Sequence, residues 1–257
     1  MRNPQMMLTL LLIGFAVLNL PAQENTATAA DVLAARKAGD EARMEALRTA
    51  LAESAGKDKG SFQVQWDAAE CFRISATDLR TRRQAHNLSG KEAKELKVKQ
   101  EAWAAQGLAF GERALALAQT EAEIAAAHRV MGELYANSIT SMVSGLKNGP
   151  KARKHIDEAM ARTPKDPECQ RAIGIMYLNN PPISGGNVPK AIETFSWCHE
   201  QVPDNDEYMV MLAMAYQKDK QWDKALEAVD QALSINPANA NAAALRARVV
   251  AKEEGSE

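Results

Sequence analysis

Aromatic residues are scarce in this 257-residue chain, at 5% of the total against 46% hydrophobic residues overall. A β-sandwich draws its core from aromatic and β-branched side chains, so a supply this poor argues against one; the abundant alanine suits closely crossing helices. There are three cysteines, Cys71, Cys169 and Cys198, and they form no CxxC or metal-ligand spacing. They read as small buried hydrophobes, with a Cys169–Cys198 disulfide left open. The four histidines, His86, His128, His155 and His199, stand singly, and no HExxH occurs, so no metal is expected. There is no GxxxxGK[ST] loop and no GxSxG. Neither an enzyme's constellation nor a cofactor's is expected. The formal net charge of −2 gives no global attraction to nucleic acid.

The long apolar run of a membrane span is missing too. From Met6 to Leu20 a largely apolar stretch of 15 residues follows a single basic residue, Arg2. A span needs about 20 residues, whereas this length suits a secretory signal. Cleavage is expected after Ala22, with Ala29 as a second position, which makes the protein periplasmic or secreted. A membrane association is expected only if the signal stays uncleaved. No cysteine follows the run to carry a lipid.

What the chain does have is a repeat. A small residue followed three later by tyrosine occurs as Gly132/Tyr135, Gly174/Tyr177 and Ala213/Tyr216. Downstream of each lies a second set with internal spacings of 4, 3 and 5 residues: Ala152, Ile156, Ala159, Pro164; Ala191, Phe195, Cys198, Pro203; Ala225, Val229, Ala232, Pro237. Offsets of three and four share a helix face, and the proline ends the helix. Each unit is a helical hairpin that buries its seam only by stacking on its neighbours.

This spacing resembles the tetratricopeptide repeat. The resemblance implies an all-α, right-handed α-solenoid of helical hairpins. The last unit, from Asp206 to about Asn239, fits the register without insertion. The two before it are longer: 20 residues separate Gly132 from Ala152 and 17 separate Gly174 from Ala191, against 12 from Ala213 to Ala225. The first surplus is expected to lengthen the first helix through "SITSMVSGLKNG", with "SGLKNG" and "SGGN" as hairpin loops. Upstream, "WDAAECF" and "GERALALAQ" read as a divergent hairpin interrupted by a charged insertion, a solvated helix–loop–helix tip. The expected organisation is a signal over 1–22, divergent hairpins over 23–124, repeats over 125–166, 167–205 and 206–239, and a capping helix with tail over 240–257.

The whole layout resembles the regulator-of-microtubule-dynamics-like group. It is also similar to the T-component of tripartite ATP-independent periplasmic transporters. In such solenoids the first helices line a concave groove, which the register assigns to Arg129, Glu133 and Ala136; Arg171, Ile175 and Leu178; and Val210, Met214 and Gln217. Two arginines above an apolar floor suit a segment bearing a carboxylate and a hydrophobic anchor. The expected function is a non-enzymatic scaffold holding a protein or peptide partner there. The alternative is an accessory protein of solute uptake that docks on a periplasmic solute-binding protein. A third possibility is that the groove is filled by the capping helix or the N-terminal hairpin.

Overall fold

Serine, threonine, asparagine and aspartate side chains start most of the helices. In the computed structural model, which describes residues 27–253, eleven α-helices follow one another with no strand among the described residues. They are α1 (Ala29–Lys37), α2 (Glu41–Lys57), α3 (Phe62–Ala85), α4 (Gly90–Leu117), α5 (Glu121–Asn137), α6 (Met142–Arg162), α7 (Pro167–Asn179), α8 (Val188–Gln201), α9 (Asp206–Lys218), α10 (Trp222–Ile235) and α11 (Ala240–Glu253). The expected signal and its cleavage position lie outside the described residues. Thr120 caps α5 in a capping box with Glu123, whose carboxylate accepts the Thr120 N–H at 3.0 Å, satisfying donors that the first turn leaves unpaired. Asp166 and Pro167 open α7, and Asn187 caps α8. Pro164, Pro203 and Pro237 each stand just past the ends of α6, α8 and α10, where a residue without an N–H closes a helix.

Within each hairpin a small residue meets a large one. A Cβ added at Gly132 would lie 2.6 Å from Ile156 Cδ1, and one at Gly174 would lie 2.8 Å from Phe195 Cε1. In the third hairpin alanine faces the smaller valine: Ala213 and Val229 are both fully buried in one core cluster. The backbones therefore approach closely where the partner side chain is bulky, and volume is matched across the seam. Each tyrosine is half-buried and carries the lysine that precedes the alanine of the next helix. Lys151 lies 5.2 Å from the Tyr135 ring centre, and Lys190 and Lys224 lie 5.7 Å from those of Tyr177 and Tyr216. Such contacts contribute about 0.5–1 kcal/mol each at exposed sites.

The two surplus segments fold differently from one another, and one of them differently from expectation. α5 is not lengthened; it stops at Asn137. The Ser-Ile-Thr-Ser run that follows is rich in hydroxyl and β-branched side chains, which compete with or crowd a helical backbone. Ser141 then forms a capping box with Ser144, so the surplus is added to the start of α6. "SGLKNG" is therefore helical, not a loop, with Pro150 inside the helix. The second surplus stays irregular: a short 3-10 turn over Pro182–Ser184 ends at Gly185, whose φ of 87° favours glycine.

The charged insertion forms the tip of the long α3–α4 hairpin. α3 does more than pair with α4. It also runs along the concave side of the later hairpins, packing on α5 and α11. Asn241 donates to Asp78 at 3.2 Å, Gln84 donates to Asn179 at 3.3 Å, and Arg248 donates to the carbonyls of Gln84 and Ala85.

Candidate binding site

The residues expected to line an open groove are mostly covered. Arg129, Glu133, Arg171, Ile175, Leu178 and Val210 are all buried, Arg171 completely. Ala136, Met214 and Gln217 are half-buried; Met214 packs on the core and Gln217 accepts a hydrogen bond from Arg248 of α11. The correction has a simple cause: α3 and α11 occupy the space a partner was expected to fill. The arginines do bind carboxylates, but those of their own chain. Glu133 accepts from Arg129 at 2.9 Å, from Arg171 at 2.7 and 2.9 Å, and from Arg73 of α3 at 3.3 Å. Glu70 of α3 accepts from Arg73 at 2.7 Å and from Arg129 at 3.3 Å. The Glu207 carboxylate lies 2.8 Å from Arg36 of α1 and 3.7 Å from Arg171. Helices α1, α3, α5, α7 and α9 thus share one buried ionic network.

At Arg129, Glu207 and Glu70 burial works against the charge, and opposite charges outweigh it. Burial lowers Arg129, but Glu70 and Glu133 hold it above its ordinary value. Burial raises Glu207, yet Arg36 and Arg171 bring it down to about 2. Glu70 is held low in the same way by Arg129 and Arg73. A carboxyl depressed in the folded state stabilises fully above its unfolded value and loses that contribution as pH falls through the folded one. The urea midpoint should therefore hold at neutral pH and drop as pH falls from about 4.5 towards 2. A midpoint flat through that window would contradict the pairing.

The cysteines and histidines occupy separate places. All three cysteines are free, buried thiols. Cys198 donates to the Pro167 carbonyl at 3.4 Å, while Cys169 Sγ lies 3.3 Å from the Thr163 hydroxyl. Burial pushes Cys71 and Cys198 up to about 12 and Cys169 to about 11. Since the thiolate is the reactive form, a disulfide reagent should modify all three only after unfolding; rapid native labelling would refute that. His128 and His155, which are 27 residues apart, meet with their Nδ1 atoms at 2.9 Å, and Tyr135 stacks on His155. Sequence spacing could not have shown this pairing, because it depends on how α5 crosses α6. Burial pushes His155 down to about 4 and also lowers His128, so at neutral pH one uncharged ring donates to the other. Among the described residues no group of three or more side chains is arranged to hold a metal.

The open site lies where the two surplus segments meet. The added turns of α6 stand beside the Pro181–Ser184 segment and enclose a cleft of about 560 Å³, lined largely by apolar surface. Ile139, Met142, Leu146 and Pro150 form one side, and Met176 and Pro181 face them. Met142 is 84% exposed, Val143 and Leu146 are 77% exposed, and Ile183 is 96% exposed. Scattered apolar residues on a surface are ordinary, but a contiguous group at a cleft marks an interaction site. Sequence reading found both insertions without their meeting. The available signal was apolar residues in segments that had no place in the repeat register.

Residues 183–249 match the family model of the tetratricopeptide repeat. No curated protein matches the chain. Among solved structures, a thermophilic TPR protein of Thermus thermophilus, TTC0263, aligns with a TM-score of 0.58 at 14% identity, over 86% of this chain and 97% of that one. A chain of the APC/C hetero-tetramer Cut9–Hcn1 also aligns with a TM-score of 0.58, at 16% identity, over 90% of this chain and 38% of that one. Residues 183–249 thus carry a tetratricopeptide repeat by sequence, and the stacked hairpins as a whole have the fold of solved tetratricopeptide-repeat proteins.

Proposed function

We propose that this protein is an exported, non-enzymatic scaffold, and that it holds a segment of a partner protein in the α6 cleft rather than in the concave groove. The observation that carries this reading is the exposure of Met142 and Leu146 in one apolar cleft, with Val143 and Ile183 exposed on the same two segments. Leaving these side chains in water forgoes roughly 1.5–3 kcal/mol each relative to full burial, which a partner can recover. The concave side cannot serve as docking surface while α3 lies along it. The cleft's polar groups are few: Ser141, Ser184, Arg153 and two asparagines, Asn179 and Asn180, which orient a partner and suit binding more than chemistry. Export rests on the short apolar run after Arg2 and on Ala22 as the cleavage residue.

A photo-crosslinking residue at position 146 of the full chain, expressed in its native cells, tests the site. One discrete adduct is expected there, and none from the same residue placed at Asp204. Leu146→Glu should weaken binding of the partner so identified, once purified, by tenfold or more. A solute-binding protein in the adduct would make the scaffold part of an uptake system. Equal adducts at both positions, or binding indifferent to Leu146→Glu, would sink the cleft as the site. N-terminal sequencing of the mature protein checks export: a start at residue 23 is expected, and an intact Met1 overturns it.

A further inference from the structure

Arg80 stands apart from the other arginines of the fold. Half-buried on α3, it forms no hydrogen bond and no ion pair among the described residues. Every other buried or half-buried arginine there has a hydrogen-bond partner. Burial, joined by the like charge of Arg83, pulls Arg80 down to about 10, and Glu133 opposes this without pairing with it. Arg83 itself donates only to a neutral group, Gln100, at 2.8 Å. A guanidinium withdrawn from water without a counter-ion is costly, so this position lacks an anion that the described residues do not supply.

Arg80 lines a cavity between α3, α5 and α7. Thr81 lines it too; this residue is 8% exposed, and its hydroxyl makes no hydrogen bond among the described residues. The neighbouring polar side chains are already engaged. Asn137 donates to Thr77 at 2.9 Å, and Asn179 accepts from Gln84 and donates to the Ile175 carbonyl at 3.0 Å. Two unused donors of α3, one of them charged, therefore border the same space, while Ile156, Ile175 and Met176 make much of its wall apolar. The room is about 20 Å³, where one water needs about 10–15 Å³. That admits an anion of a few heavy atoms and nothing larger. Glu133 also lines the cavity and repels a second negative charge, so the anion is monovalent.

We propose that Arg80 and Thr81 bind a small monocarboxylate, of the size of formate or acetate. The flat guanidinium fork matches the two carboxylate oxygens better than it matches a spherical halide. The Thr81 hydroxyl donates a further hydrogen bond, and the methyl group of acetate meets the apolar wall. This site stands apart from the scaffold reading, since its ligand is a free ion and not a protein.

The test titrates acetate into the full chain and reads the urea midpoint. Pivalate, whose tert-butyl group is too bulky for the cavity, holds the ionic strength constant. The midpoint should climb with the logarithm of acetate concentration, as for any ligand of the native state. Thr81→Val should weaken acetate about tenfold, the loss of one hydrogen bond to a charged group, and Arg80→Met should abolish the response. In pivalate alone Arg80→Met should be at least as stable as the wild type, because it removes an unpaired charge. A lower midpoint there would mean that the guanidinium has a partner in its own chain, and would overturn the site. An acetate response shared by Arg80→Met is a bulk salt effect, with the same consequence. Chloride matching acetate makes the ligand a halide and overturns the carboxylate. Met176 and Asn179 line both this cavity and the α6 cleft. If acetate is inert while the crosslinked partner no longer binds Arg80→Met, the carboxylate belongs to that partner and the free ion is overturned.

Discussion

Replacing Glu133 by alanine should destabilise the protein by about 3–5 kcal/mol, the usual loss when one member of a buried ionic network is removed. Glu133 is 5% exposed and is the acceptor shared by Arg73, Arg129 and Arg171, which come from α3, α5 and α7. Without it three buried guanidinium groups face one another, with only Glu70, Glu168 and Glu207 left to offset them. Glutamine in its place keeps the shape but turns an amide donor towards donors, so Glu133→Gln should also destabilise, by a smaller amount. Urea unfolding at neutral pH measures both. Because the charges are buried, added salt should change the loss little. Pairing Glu133→Leu with Arg171→Leu should cost less than the two single losses summed, since each single variant strands the other's charge. A loss below about 1 kcal/mol for Glu133→Ala, the range of an exposed ion pair, would show that the network does not hold α3 in the groove.

The second large effect is expected in the middle hairpin. Phe195→Ala should cost about 3–5 kcal/mol, as transfer free energy is lost and a cavity remains. The ring is fully buried and lies against Gly174. Gly174→Ala in the wild-type background should also destabilise, by about 1–3 kcal/mol through overpacking, because its new methyl would sit 2.8 Å from Phe195 Cε1. In the Phe195→Ala background that methyl enters the vacated space. The double variant should therefore be more stable than the sum of the single losses predicts. Simple additivity would mean that the two positions do not form the contact that closes the hairpin.

Much of this could be read without coordinates. The 4, 3, 5 spacing around Ala191, Phe195, Cys198 and Pro203 places one helix face and one helix end, and both are local matters of helical periodicity and a missing N–H. The small-residue-to-tyrosine step located the partner helix for the same reason. The expectation for the first surplus segment put the added turns on the wrong helix. The choice turned on whether Ser138 to Ser141 continue α5 or cap α6, a balance of a few hydrogen bonds that pattern alone does not weigh. The candidate groove residues lie on α5, α7 and α9, and Arg129 and Arg171 clasp a carboxylate of the same set, Glu133. Their further partners were not legible, because Glu70 and Glu207 reach Arg129 and Arg171 from helices distant in sequence.

The sequence by itself determined that this protein is a stack of helical hairpins, where the second helix of each repeat stops, and which side chains form its seams. Those properties arise between residues a few positions apart. The tertiary structure alone decided which surface is open. α3 lies along the concave side and satisfies its arginines, while two insertions absent from the last repeat come together as an apolar cleft. Both outcomes depend on how whole helices stack, and that is set by packing and charge between segments that no local pattern links.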